Sequence, residues 1–128
     1  MTVLALGIGG ASDATADAML RLVEAILAQH GIDRRTIACV ATIDRKRDAR
    51  AIQAVAHALG VPLRVFTAAR LNDEAPRLLN PSDAVLREVG CPGVAEGAAL
   101  AAAGPDAVLL VPKTRGAGVT CAIAGPAS

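Results

Sequence analysis

Apolar and polar positions follow two rhythms along this chain. Residues 2–8 form a short continuous apolar run, the pattern of a buried parallel strand, which Gly7, Gly9 and Gly10 break. Ser12 or Asp13 can cap the next element. There Ala16, Met19, Leu20, Val23, Ile26 and Leu27 recur at helical spacing, with Arg21, Glu24 and Gln29 largely between them, up to Gly31. Ile37 to Ile43 reads as a second strand. Arg45 to Arg50 is a charged connection with Asp48 as a candidate cap. A second helix then turns Ala51, Ile52, Val55, Ala56 and Leu59 inward and ends at Gly60. Val61 to Phe66 is a third strand, with Pro62 near its start, where a missing N–H is tolerated. Thr67 to Leu71 suggests a helical turn, and 72–81, with two prolines, a loop. Ser82 to Val89 and Val94 to Ala103 read as short helices ending at Gly90 and Gly104. Val108 to Val111 and Val119 to Ala124 read as strands, close enough in sequence to pair as an antiparallel hairpin. This order predicts an α/β fold. The expectation is a three-layer α/β/α domain over residues 1–128, with a mixed, mostly parallel sheet of about five strands ending in that hairpin.

Composition narrows the function. The 128 residues are 53% hydrophobic, but Phe66 is the only aromatic, so the core must be aliphatic and no aromatic platform exists for stacking bases. A net charge of +1 gives no overall field to attract nucleic acid or an anionic membrane. No apolar run approaches the roughly 20 residues of a membrane helix. The N-terminus has no basic start and reads as a strand, not a signal peptide. Cys39, Cys91 and Cys121 are odd in number and widely spaced, which suggests neither a disulfide framework nor a zinc cluster. The expected setting is a reducing cytoplasm, with no metal or cofactor.

Several positions are open to two readings. The stretch from Gly7 to Ser12 nearly matches a dinucleotide fingerprint, with Asp44 placed for a ribose; equally, its glycines make a tight turn. Arg45, Lys46 and Arg47, with Arg50 and the separate pair Arg34 and Arg35, can hold several carboxylates or form a solvated surface. Lys113 can grip an anion or blunt a sheet edge. Glu96 lies in a helix first turn, where the dipole favours a carboxylate, and Ser82 reads as a cap. His30 and His57 lack partners at metal-ligand spacing. Cys39 and Cys121 read as buried strand residues, and Cys91, between Gly90 and Pro92, as an exposed one. There is no Gly-x-Ser-x-Gly elbow and no Walker loop.

Four stretches, in order, resemble the CobE/CbiG C-terminal domain family of cobalamin biosynthesis. They are Gly7-Ile8-Gly9; Ala41-Thr42-Ile43-Asp44-Arg45-Lys46; Pro81-Ser82 through Gly90 to Val94-Ala95-Glu96; and Lys113 followed by Val119-Thr120 and a small-apolar strand. The likeness fills the chain, as in the free-standing CobE type and unlike the larger CbiG. Two departures stand out: Gly10-Ala11-Ser12-Asp13 replaces the family's cysteine and basic residues, and Gly93 stands where relatives often have serine. The resemblance implies a corrin-ring role, binding a polycarboxylate corrinoid or precorrin intermediate in an accessory capacity. Gly9, Ser12, Asp44, Lys46, Glu96, Lys113 and Thr120 would line the ligand site, and other cobalamin-pathway enzymes are candidate partners. An alternative is a hydrolase of a precorrin lactone, with Glu96 or Asp44 assisting water and Lys113 stabilising negative charge. A nucleotide-binding module ranks third.

Overall fold

Side-chain size decides which helix covers which face of the sheet. The computed structural model describes residues 3–10, 13–116 and 118–127. Strands β1 (Leu4–Gly10), β2 (Ile37–Ile43), β3 (Leu63–Phe66), β4 (Ala107–Gly116) and β5 (Val119–Pro126) form one mixed sheet in the order β3-β2-β1-β5-β4. β1, β2 and β3 pair in parallel, while β5 runs antiparallel to both β1 and β4. The helices are α1 (Ala16–His30), α2 (Arg50–Leu59), α3 (Ala68–Asn72), α4 (Asp83–Val89) and α5 (Val94–Ala103).

On one face, Leu4, Leu6 and Ile8 of β1 join Val119, Cys121 and Ile123 of β5. They pack against Met19, Val23 and Ile26 of α1 and Ile52 and Val55 of α2. Each such large side chain, fully buried, stabilises by about 1.5–3 kcal/mol. The other face is built from small residues: Ala41, Ala122 and Ala124 on the strands, and Ala95, Ala98 and Ala99 on α5. With little side-chain bulk between them, helix and sheet meet almost backbone to backbone. A Cβ on Gly7 would collide with the Ala95 carbonyl oxygen and lie 2.8 Å from the Ala99 nitrogen. A Cβ on Gly9 would sit 2.9 Å from the Thr120 hydroxyl oxygen and 3.2 Å from the Val94 Cβ. These glycines belong to β1 and serve close packing against α5 and β5.

Several element ends differ from the sequence expectation. α1 starts at Ala16 because the Thr15 hydroxyl accepts from the Ala18 N–H at 3.1 Å; Asp13 does not cap it, and Ser12 lies outside the described residues. α2 starts after Ala49 with no side-chain cap, one residue beyond Asp48. Cys91 is fully buried, as the 90–93 turn folds it under α5 and α3. β4 does not stop at Val111. It continues through Pro112 to Gly116, and β5 begins at Val119. The irregularities in its pairing let it do so: Leu109 opposes Ala124, Val111 opposes Ile123 and Thr114 opposes Cys121, so β4 holds one extra residue at each of two bulges. Pro112 sits in the second bulge, where its missing N–H breaks no ladder. Among the described residues, no helix is long and apolar enough to cross a membrane.

Candidate functional site

The second bulge also turns β4 over. Val111 packs into the large-residue core with Ile123. Without the extra residue, Lys113 and Arg115 would fall on that same face, because side chains alternate strictly along a strand. With it, Thr114 takes that face opposite Cys121, and Arg115 comes opposite Thr120 on the α5 side. Lys113 and Arg115 thereby reach a cleft of 530 Å³ at the C-terminal ends of β1, β2 and β4. Strand ends of this kind are where open α/β sheets bind ligands.

Five groups of residues line the cleft. Gly9, Gly10 and Thr120 contribute from β1 and β5, and Ile43, Arg45 and Lys46 from the end of β2 and its following turn. Val85, Glu88 and Val89 come from α4, and Gly93, Val94 and Ala95 from the start of α5. Lys113 and Arg115 close the β4 side. Four cations thus face one carboxylate, Glu88. None of the four makes an ion pair or a side-chain hydrogen bond among the described residues. Gly93 places no side chain on the first N–H groups of α5, so the positive end of that helix dipole also faces the cleft. The chemistry on offer is anion binding against a partly apolar wall. A second recess of 430 Å³ between the starts of α1 and α2 shares Gly10, Arg45 and Lys46 with the first and adds Arg50.

Of the residues singled out from the sequence, the cleft brings together Gly9, Lys46, Lys113 and Thr120. Asp44 opens the short turn after β2, half-buried, and is not part of the lining. Glu96 lies beneath the cleft floor, 2% exposed. One of its carboxylate oxygens accepts from the N–H groups of Leu79 (3.0 Å) and Asn80 (2.9 Å); the other accepts from the Asn80 side-chain amide (3.0 Å) and the Lys113 N–H (2.8 Å). Burial pushes this carboxyl up, but the hydrogen bonds from Asn80, Lys113 and Leu79 outweigh it and hold the group below its ordinary range. Ser82 caps α4 as expected. Arg34 and Arg35 lie at the opposite end of β2, bonded to the Ala58 carbonyl and to Asp33. All three thiols are buried, and burial pushes Cys121 up to about 12.

Sequence reasoning did not place Arg115 or the α4 wall. The signal for Arg115 was Pro112, since proline inside an apolar run marks a bulge, and a bulge changes which side chains share a face. α4 carries no fully buried residue, so its periodicity did not indicate what it encloses.

Comparison with known proteins converges on one pathway. The profile of the family described as cobalamin synthesis G C-terminus matches residues 4–124. Protein CobE from Sinorhizobium sp. is 43% identical over 125 residues, covering 98% of this chain and 81% of that protein. A crystal structure of CobE, described as a protein from the cobalamin (vitamin B12) biosynthetic pathway, matches with a TM-score of 0.91 at 37% identity. That match covers 98% of this chain and 92% of the other. The cobalt-precorrin-5A hydrolase of Priestia megaterium is 30% identical over 122 residues, which are 95% of this chain but only 32% of the hydrolase.

Proposed function

We propose a function from one premise: this chain belongs to the cobalamin synthesis G C-terminus family and is a protein of cobalamin biosynthesis. It binds a polycarboxylate corrinoid or precorrin intermediate and acts as an accessory to the pathway. The observation that carries this reading is the set of four cations, Arg45, Lys46, Lys113 and Arg115, without an ion-pair partner among the described residues, around a cleft that also has apolar walls. Corrin-ring intermediates carry many acetate and propionate arms on an apolar macrocycle. Their arms suit the guanidinium and ammonium groups, through charge-assisted hydrogen bonds. Their ring suits Ile43, Val85, Val89 and Val94.

A hydrolase reading draws on the name of the Priestia megaterium relative, of which this chain spans about a third. Glu96 gives it no support as a base. A carboxylate has about four acceptor positions, and four protein donors already fill them.

The test is a titration of the purified protein with hydrogenobyrinic acid, followed by absorbance and calorimetry. Saturable micromolar binding that weakens as salt rises is expected, since exposed charges are screened. Absence of saturation, or binding indifferent to salt, would overturn the reading.

A further inference from the structure

We infer that Glu96 is a positioning residue that holds Lys113 and the root of α4 in their binding arrangement without touching ligand. Deepening the site proposed above, the inference rests on that reading for its binding consequence only.

The second bulge of β4 leaves backbone groups without ladder partners. Lys113 falls in the unpaired stretch between Val111, opposite Ile123, and Thr114, opposite Cys121. A bulged residue loses its regular ladder partner. Beside it, Pro112 has no N–H to satisfy; Lys113 has one, and Glu96 accepts it at 2.8 Å. The same carboxylate takes the N–H groups of Leu79 and Asn80 and the Asn80 side chain. Those residues lead into Pro81 and Ser82, the cap of α4. α4 has no fully buried residue of its own, yet supplies Val85, Glu88 and Val89 to the cleft wall. One buried side chain thus joins the cleft's β4 cations to its opposite wall through α5. Its donors are backbone amides and a neutral amide. The negative charge is therefore satisfied without engaging Lys46, Lys113 Nζ, Arg45 or Arg115.

The substitution Glu96→Gln keeps the shape. It replaces one acceptor oxygen with an NH₂ group, so whichever way the amide lies, two of the four donors lose their partner. The first readout needs no ligand: backbone amide hydrogen exchange followed by NMR. In the unsubstituted protein Lys113, Leu79 and Asn80 are protected. In the Gln variant exchange speeds up by roughly tenfold or more at Lys113, or at Leu79 and Asn80, according to which oxygen the NH₂ replaces, while Leu6 and Ile123 in the core keep their rates. Unchanged protection at Lys113 and Asn80 would overturn the inference. If the Gln variant fails to fold, Glu96→Asp keeps the charge and shortens the arm, and the same amides decide.

The second readout separates positioning from general support. Hydrogenobyrinic acid affinity is measured for Glu96→Gln, Lys113→Ala and the double variant. Glu96 acting through Lys113 predicts a loss of roughly tenfold from Glu96→Gln alone and a much smaller further loss once Lys113 is already alanine. Equal losses in both backgrounds would contradict the inference. If the unsubstituted protein does not bind this acid, the ligand reading fails, and the exchange data still decide whether Glu96 holds Lys113.

Discussion

The two ends of α5 are each anchored by a buried glutamate, and they are anchored in opposite ways. At the C-terminal end, Glu74 (5% exposed) is held by two cations, Arg70 at 2.7 Å and Arg77. Arg77 also donates to the carbonyls of Leu100, Gly104, Pro105 and Ala107 around the last turn of the helix. Its charge is spent on Glu74 and on the negative end of the dipole. At the N-terminal end, Glu96 is held by N–H groups and the Asn80 amide. The cations nearby make no ion pair among the described residues. For both carboxyls burial raises the pKa and hydrogen bonding outweighs it, from arginines at Glu74 and from neutral donors at Glu96. The difference teaches where a binding site can be. Counting arginines does not distinguish the two ends; asking what each arginine already touches does. The C-terminal end is a closed structural staple, and the N-terminal end is a cradle with charge to spare.

The largest expected effect comes from a change that disturbs both ends at once. Gly7→Ala drives a methyl group into the α5 backbone at Ala95 and Ala99. Overpacking of this kind costs about 3 kcal/mol, since backbone cannot rotate away. Urea denaturation measures it, and a loss below about 1 kcal/mol would mean that α5 rides less tightly on β1 than its geometry indicates. Arg77→Ala touches the staple alone. Glu74 keeps Arg70 as a partner, so a stability loss of about 2 kcal/mol is expected. Affinity for hydrogenobyrinic acid, measured well below the melting temperature, should stay within a factor of two. A large drop in affinity would erase the distinction between the ends.

A smaller effect is expected from pH. Glu74 and Glu96 both sit below the ordinary glutamate value of 4.5 in the folded protein. A group with a depressed folded pKa contributes stability that is present above its unfolded value and lost as pH falls through the folded one. Thermal melts should therefore hold a plateau above pH 4.5 and fall below it. The fall should be shallower in Glu74→Gln and in Glu96→Gln. An identical acid slope in either variant would show that its carboxylate does not drive the acid sensitivity.

Most of the architecture was readable from local pattern. β2 and α5 begin and end where their periodicity places them, and Gly31 ends α1 in a left-handed conformation, φ 62°. Lys46 and Thr120 share a cleft because they lie beside the end of β2 and at the start of β5, and strand ends are visible in sequence; Lys113 joins them from the bulge inside β4. The exceptions have physical causes. Glu96 carries a charge, so its polarity suggested a ligand contact; its actual partners, Leu79, Asn80 and Lys113, are distant in sequence and offer mainly backbone groups, which leave no composition signal. Arg115 reached the cleft through a one-residue slip at Pro112, which reverses every side chain beyond it. Gly7 and Gly9 resembled a phosphate turn because close packing and phosphate approach both demand glycine.

The central claim is that anions bind at the N-terminal end of α5 and not at its C-terminal end. Amide chemical-shift mapping during a hydrogenobyrinic acid titration tests it most directly. The account predicts saturable shifts at Gly9, Lys46, Val94, Lys113 and Thr120, and none at Arg77, Gly104 or Ala107. Shifts centred on the Arg77 staple, or spread evenly over both ends, would contradict it.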